Sequence, residues 1–199
     1  MKKLLVAIVW VFLFGASALS VTYNSNPKIF ISELISDAMK TINDKSISTE
    51  DKTKFLEKIA LENVDIKALG MYTLGDIRKT LDPETLKEYN KLFEKYFLKS
   101  LTSRLIDYKT TKFEVTDAEQ TSSNYTIVKS RIPETSSQQE IKIDWRVYTK
   151  NPEKPLIRDL IIEGLSLART QKEEFSSIIN SNNGDIDSLL KTLEDFAKD

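Results

Sequence analysis

The chain has 199 residues, 40% of them hydrophobic and 30% charged, with a formal net charge of -1. That suits one globular domain of moderate size and gives no broad basic face for nucleic acid. Cysteine and histidine are both absent, which excludes disulfides, thiolate and Ser-His-Asp nucleophiles, and zinc held by the usual Cys and His ligands.

The first 20 residues read as a signal peptide. Met1-Lys2-Lys3 is a short positive start, Leu4–Phe14 is apolar, and Gly15-Ala16-Ser17-Ala18-Leu19-Ser20 supplies small residues for cleavage. An uncleaved anchor is the alternative, although the apolar run is shorter than the ~20 residues of a spanning helix. Residues 21–199 are then one exported domain, with no interdomain linker and no repeat.

A first helix follows Pro27, with Phe30, Leu34, Ala38 and Ile42 at every fourth position. Ser48 with Asp51 opens a second helix, a capping-box variant that buries Phe55, Leu56, Ile59 and Ala60. Asp65 caps a short third helix through Leu69 and Tyr72 to Gly75. Asp82-Pro83-Glu84 starts a long fourth helix of about 26 residues, or roughly 39 Å. Leu86, Tyr89, Phe93, Tyr96, Phe97, Leu101, Leu105 and Tyr108 keep helical spacing along it.

After Tyr108 the period becomes two. Phe113 and Val115 suggest one strand and Tyr125 to Ile132 another, joined by a polar Asp117–Asn124 connection. Ile143, Trp145 and Val147 then alternate against Lys142, Asp144, Arg146 and Tyr148. The turn Asn151–Pro155 leads into a second apolar strand, Leu156–Ile162, and Glu163-Gly164 breaks it. Two helices close the chain, from Thr170 to about Asn180 and from Ile186 to Ala197. Helices before and after one block of strands predict an α+β class with a mostly antiparallel sheet of about four strands.

Trp145, the run Asp159-Leu160-Ile161-Ile162-Glu163-Gly164-Leu165-Ser166 and the helix opening Thr170-Gln171-Lys172-Glu173-Glu174-Phe175 resemble the MlaC (toluene-tolerance) family. Ile66-Lys67, Leu74-Gly75 and the long aromatic-rich helix extend the resemblance over most of the chain. It implies a curved sheet wrapped by helices, similar to the NTF2-like cone, around a hydrophobic cavity. It also implies a monomeric periplasmic carrier that moves phospholipid between outer and inner membranes without chemistry on it. Phospholipid would be cargo and no cofactor is needed. The partners implied are an inner-membrane MCE-domain ABC transporter complex and an outer-membrane lipoprotein.

The resemblance makes Leu69, Tyr72, Phe93, Phe97, Leu101, Ile143, Trp145, Val147, Leu160 and Ile162 candidates for an acyl-chain pocket. Spacing alone favours solid core, because apolar helical faces are normally buried, and the resemblance reverses that preference for part of the set. Leu165 is the sharpest candidate, at the family's apolar position between Gly and Ser. Arg146, Arg158, Arg169, Lys67 and Arg78 could meet anionic headgroups or a partner. Ser188-Leu189-Leu190-Lys191 has the S-x-x-K spacing of penicillin-recognising enzymes but none of their companion motifs. Two rival readings remain: an NTF2-like hydrolase or isomerase with Asp144 or Asp159 as general base, and a lipoprotein carrier or chaperone.

Overall fold

The structure, a computed structural model, describes residues 22–106, 112–136 and 139–198. The expected signal peptide and Tyr108 lie outside the described residues. Six helices and five strands follow in the order α1 (Pro27–Asn43), α2 (Thr49–Asn63), α3 (Ile66–Thr73), α4 (Pro83–Ile106), β1 (Glu114–Ser122), β2 (Tyr125–Ile132), β3 (Ile141–Tyr148), β4 (Leu156–Ile162), β5 (Leu165–Ser166), α5 (Leu167–Ser181) and α6 (Ile186–Lys198). A 3-10 turn, Gly75–Lys79, separates α3 from α4.

Side-chain caps set the helix starts. The Asn26 side chain accepts from the Lys28 and Ile29 amides ahead of α1, and Ser48 accepts from Asp51 N at 3.1 Å ahead of α2. Asp65 accepts from Ala68 N at 3.1 Å ahead of α3, and Asp82 accepts from the Glu84 and Thr85 amides ahead of α4. Each oxygen satisfies an amide that lacks a partner within the first turn. Helix α5 begins three residues before the expected Thr170, because Ser166 accepts from Arg169 N and the buried Asp159 accepts from Ala168 N. A tertiary carboxylate therefore completes this helix start.

The strands form one antiparallel meander, β1-β2-β3-β4-β5. The fold is thus α+β, with an antiparallel sheet packed against helices. The polar stretch expected to connect two strands is instead most of β1, paired with β2 from Glu114↔Arg131 to Ser122↔Tyr125. Its edge position leaves nearly every residue exposed, so no apolar alternation marks it. Salt bridges Lys129–Glu119 and Arg131–Glu114 cross this pair. The fifth strand, β5, is a two-residue return after Glu163 (φ 49) and Gly164 (φ 81), whose paired positive φ values make a tight primed hairpin turn.

Two packed regions result. Helices α1 and α2 lie on one face of the sheet, here the inner face. Phe30, Ile31, Leu34, Ile35 and Ile59 pack there with Val128, Val147 and Ile157. Helices α3 to α6 form a second, all-helical cluster around Leu69, Tyr89, Phe93, Phe175, Leu189 and Leu193. The chain passes between them at Val64-Asp65. Val64 bridges to Ile157, Asp65 N donates to Ile157 O at 2.9 Å, and Val64 packs against both clusters.

Candidate functional site

Strand register gathers most of the candidate residues. Directly opposed residues in antiparallel strands share a face. Val147 pairs with Ile157, Trp145 with Leu160, Ile143 with Ile162, and Ile162 with Leu165. Ile143, Trp145, Val147, Leu160, Ile162 and Leu165 therefore stand together on the inner face, in three cross-strand rows. The first row, Val147 and Ile157, is sealed beneath α1 and α2. In the second, Trp145 and Leu160 are half-buried. In the third, cover thins from Ile143 at 9% exposed, through the half-buried Ile162, to Leu165 at 57%. The face is a wall that opens toward β5.

Two polar groups beside the half-buried Trp145, its own indole N–H and the Ser130 hydroxyl, are consumed internally. The Trp145 indole N–H donates to Ser130 Oγ at 2.8 Å, and Ser130 O–H donates to the Ile143 carbonyl at 2.7 Å. Ser130 itself is buried. The indole can thus offer its apolar body to a hydrocarbon chain without leaving a donor unpaired, which would otherwise cost about 1–3 kcal/mol. Nothing in the sequence pattern singles out Ser130, since it gains this role only through its register opposite Ile143.

The helical candidates separate from the wall. Phe93 is 3% exposed and stacks between Tyr89 and Phe97, with ring centroids at 5.8 and 6.3 Å. It meets Phe175 edge-on at 6.2 Å. Gly70 permits this approach, because a Cβ there would lie 2.9 Å from Phe93 Cδ1. Burial pushes the Tyr89 phenol pKa up, against the opposing effect of its hydrogen bond with Thr73. Phe93 and Phe97 thus belong to the all-helical core, and Leu101 is half-buried near the end of α4.

Leu69 and Tyr72 line a different space, a cleft of 470 Å³ on the outer face of the sheet. A bulge creates its polar side. The β3–β4 register slips between Arg146 and Val147, so that Arg158 and Asp159, adjacent in sequence, both turn outward. Arg158 donates to Asp65 Oδ2 through Nε at 2.9 Å and Nη2 at 2.7 Å, and to the Tyr125 hydroxyl at 2.9 Å. Its guanidinium lies 3.4 Å from the Tyr148 ring centroid. Burial works against the Arg158 charge, but the Tyr125 and Asp65 hydrogen bonds outweigh it and hold the pKa above the ordinary arginine value. The sequence marks these two residues as charges in an apolar strand, without showing that they face one way.

Asp159 is 3% exposed and accepts from Ser166 O–H at 2.6 Å and Ala168 N at 3.0 Å. It ties β4, β5 and the start of α5 together. Asp144 and Asp159, the two carboxylates considered as general bases, sit on the outer face, away from the apolar wall. Among the described residues no group of three or more acidic side chains could hold a metal, and no helix is long and apolar enough to cross a membrane.

The MlaC protein family model matches residues 32–195. No curated protein matches the sequence significantly. Among solved structures, the fold is similar to that of the phospholipid-binding protein from Ralstonia solanacearum in complex with a phospholipid. The TM-score is 0.69 at 17% identity, over 84% of this chain and 94% of that one. With the family model covering most of the sequence, from α1 into α6, the chain belongs to the MlaC family.

Proposed function

We propose that this protein is a periplasmic phospholipid carrier whose cargo chains lie against the open end of the inner-face wall. The observation that carries the reading is the graded row Ile143, Ile162, Leu165, set beside a Trp145 whose only donor is already used. Such a wall presents hydrocarbon without an unpaired polar group, as an acyl-chain site requires. Family membership and the likeness to a phospholipid complex support the same conclusion. Affinity comes from about 0.8 kcal/mol per CH₂ removed from water, before the costs of association. No bond in the lipid is made or broken.

Export by residues 1–20 and exchange with an inner-membrane MCE-domain ABC transporter complex and an outer-membrane lipoprotein complete the proposal. Native mass spectrometry of protein purified without added lipid tests it. The expected spectrum contains intact two-chain phospholipid that is unaltered after long incubation. Lipid-free protein, or lipid converted to a lyso form, would overturn the carrier reading.

A further inference from the structure

The outer-face cleft lies on the opposite side of the sheet from the acyl wall, and its hydrogen-bonding groups are unevenly committed. Its carboxylates are occupied. Asp65 accepts from Arg158 and from Ala68 N, and Asp159 accepts from Ser166 and from Ala168 N. The Arg158 guanidinium is also spent, held between Asp65, the Tyr125 hydroxyl and the Tyr148 ring.

Donors remain. Among the described residues Arg146 makes no hydrogen bond; its near carboxylate oxygen, Asp159 Oδ2, is 3.6 Å away and its side chain is 44% exposed. Ser122 Oγ accepts from Asn124 N at 3.3 Å and still has its own proton to give. The Tyr72 hydroxyl, on a side chain 43% exposed, has no partner among the described residues, and the Lys172 ammonium stands 5.6 Å from its ring centroid. Below these groups the floor is apolar, formed by Leu69, Ala68 and Ala168. A space with spent acceptors, unspent donors and a greasy floor selects a ligand that brings acceptors and an apolar body.

We propose that this cleft binds an amphipathic anion, a carboxylate or phosphate ester on a short apolar body, with Arg146 as the residue that holds the charged end. Arg146 would donate to the anion while the apolar body covers Leu69 and Ala168. The bidentate geometry of guanidinium favours both acid types, and the cleft volume of 470 Å³ lies within the ~300–1,000 Å³ of small-ligand sites. The site does not depend on the acyl wall and stands or falls separately from the carrier reading.

The test is amide NMR of the full protein titrated separately with sodium decanoate, decan-1-ol and sodium phosphate. Decanoate should shift the amides of Tyr72, Arg146 and Ala168 saturably, with decanol and phosphate at least tenfold weaker. Arg146→Gln should lower decanoate affinity at least tenfold in protein whose circular dichroism spectrum remains that of the folded chain. Arg146→Lys should recover part of that loss, and Tyr72→Phe provides a second variant with a severalfold loss. Vesicles of phosphatidylglycerol, compared with phosphatidylcholine, separate the sources of the anion. Binding to the former alone that is lost in Arg146→Gln would identify a lipid headgroup as its carrier. Equal binding of decanol, unchanged affinity in Arg146→Gln, or shifts confined to Leu160 and Ile162 would overturn the proposal.

Discussion

Along α4 the rings of Tyr89, Phe93 and Phe97 stack on one another, and Phe175 closes edge-on against Phe93. Along β3 and β4 the inner-face rows instead pass from a sealed Val147–Ile157 pair to an open Ile162–Leu165 pair. Both regions are built from large apolar side chains, and they differ in what covers them. The helical stripe meets three further helices, α3, α5 and α6, whereas the two helices on the sheet cover only part of its face. Burial is therefore a property of the neighbours, and an open apolar wall arises where cover stops before the apolar residues do.

The largest loss of stability is expected at Phe93. We predict that Phe93→Ala costs about 3–5 kcal/mol, the usual range for a large ring removed from a packed core, as urea denaturation would measure. Near-native stability with phospholipid content lost would place Phe93 in the cavity instead. Ser130→Ala should cost about 1–3 kcal/mol, because it strands the half-buried Trp145 N–H and removes the donor to the Ile143 carbonyl. A red-shifted Trp145 emission should accompany that loss, and an unchanged spectrum would argue that Ser130 does not orient the indole.

Toward the open end the cost to the fold shrinks while the cost to cargo should not. Ile162→Glu is expected to lose about 1 kcal/mol of stability and nearly all bound phospholipid, since a carboxylate facing hydrocarbon lacks partners. Circular dichroism and lipid extraction check both halves. Leu165→Glu, at a 57% exposed position, should change stability by no more than about 0.5 kcal/mol while still lowering lipid content. Full lipid content in Leu165→Glu would end the wall before β5.

Much of this arrangement is legible in the sequence. Capping residues such as Ser48, Asp65 and Asp82 announce their helices, and the alternation around Trp145 gives β3 and the face it buries. The bounds of β4 follow from the turn chemistry on either side. What escapes has a physical cause in each case. Strand β1 carries no alternation because nearly all of its residues are exposed, with only Val115 and Ala118 half-buried against the inner-face cluster. The outward turn of Arg158 and Asp159 together depends on a bulge, and no composition signal marks the extra residue. Helix α5 starts early because of Asp159, a partner set only by tertiary structure. For the site, the sheet residues Ile143, Trp145, Val147, Leu160, Ile162 and Leu165 share a face because a period of two and a hairpin register are local rules. The division of Phe93 from Tyr72, in contrast, depends on how four helices pack, which local spacing does not encode.

Trp145 provides the most direct test of the wall. It is the only tryptophan beyond residue 20, so after removal of residues 1–20 it reports alone. The measurement is its fluorescence in protein loaded with phospholipid brominated on the acyl chains, compared with the unbrominated lipid. If the chains lie against the inner face beside Leu160 and Ile162, brominated chains should quench most of the emission. Unquenched emission from protein that native mass spectrometry shows to be fully loaded would place the cargo elsewhere and contradict the account.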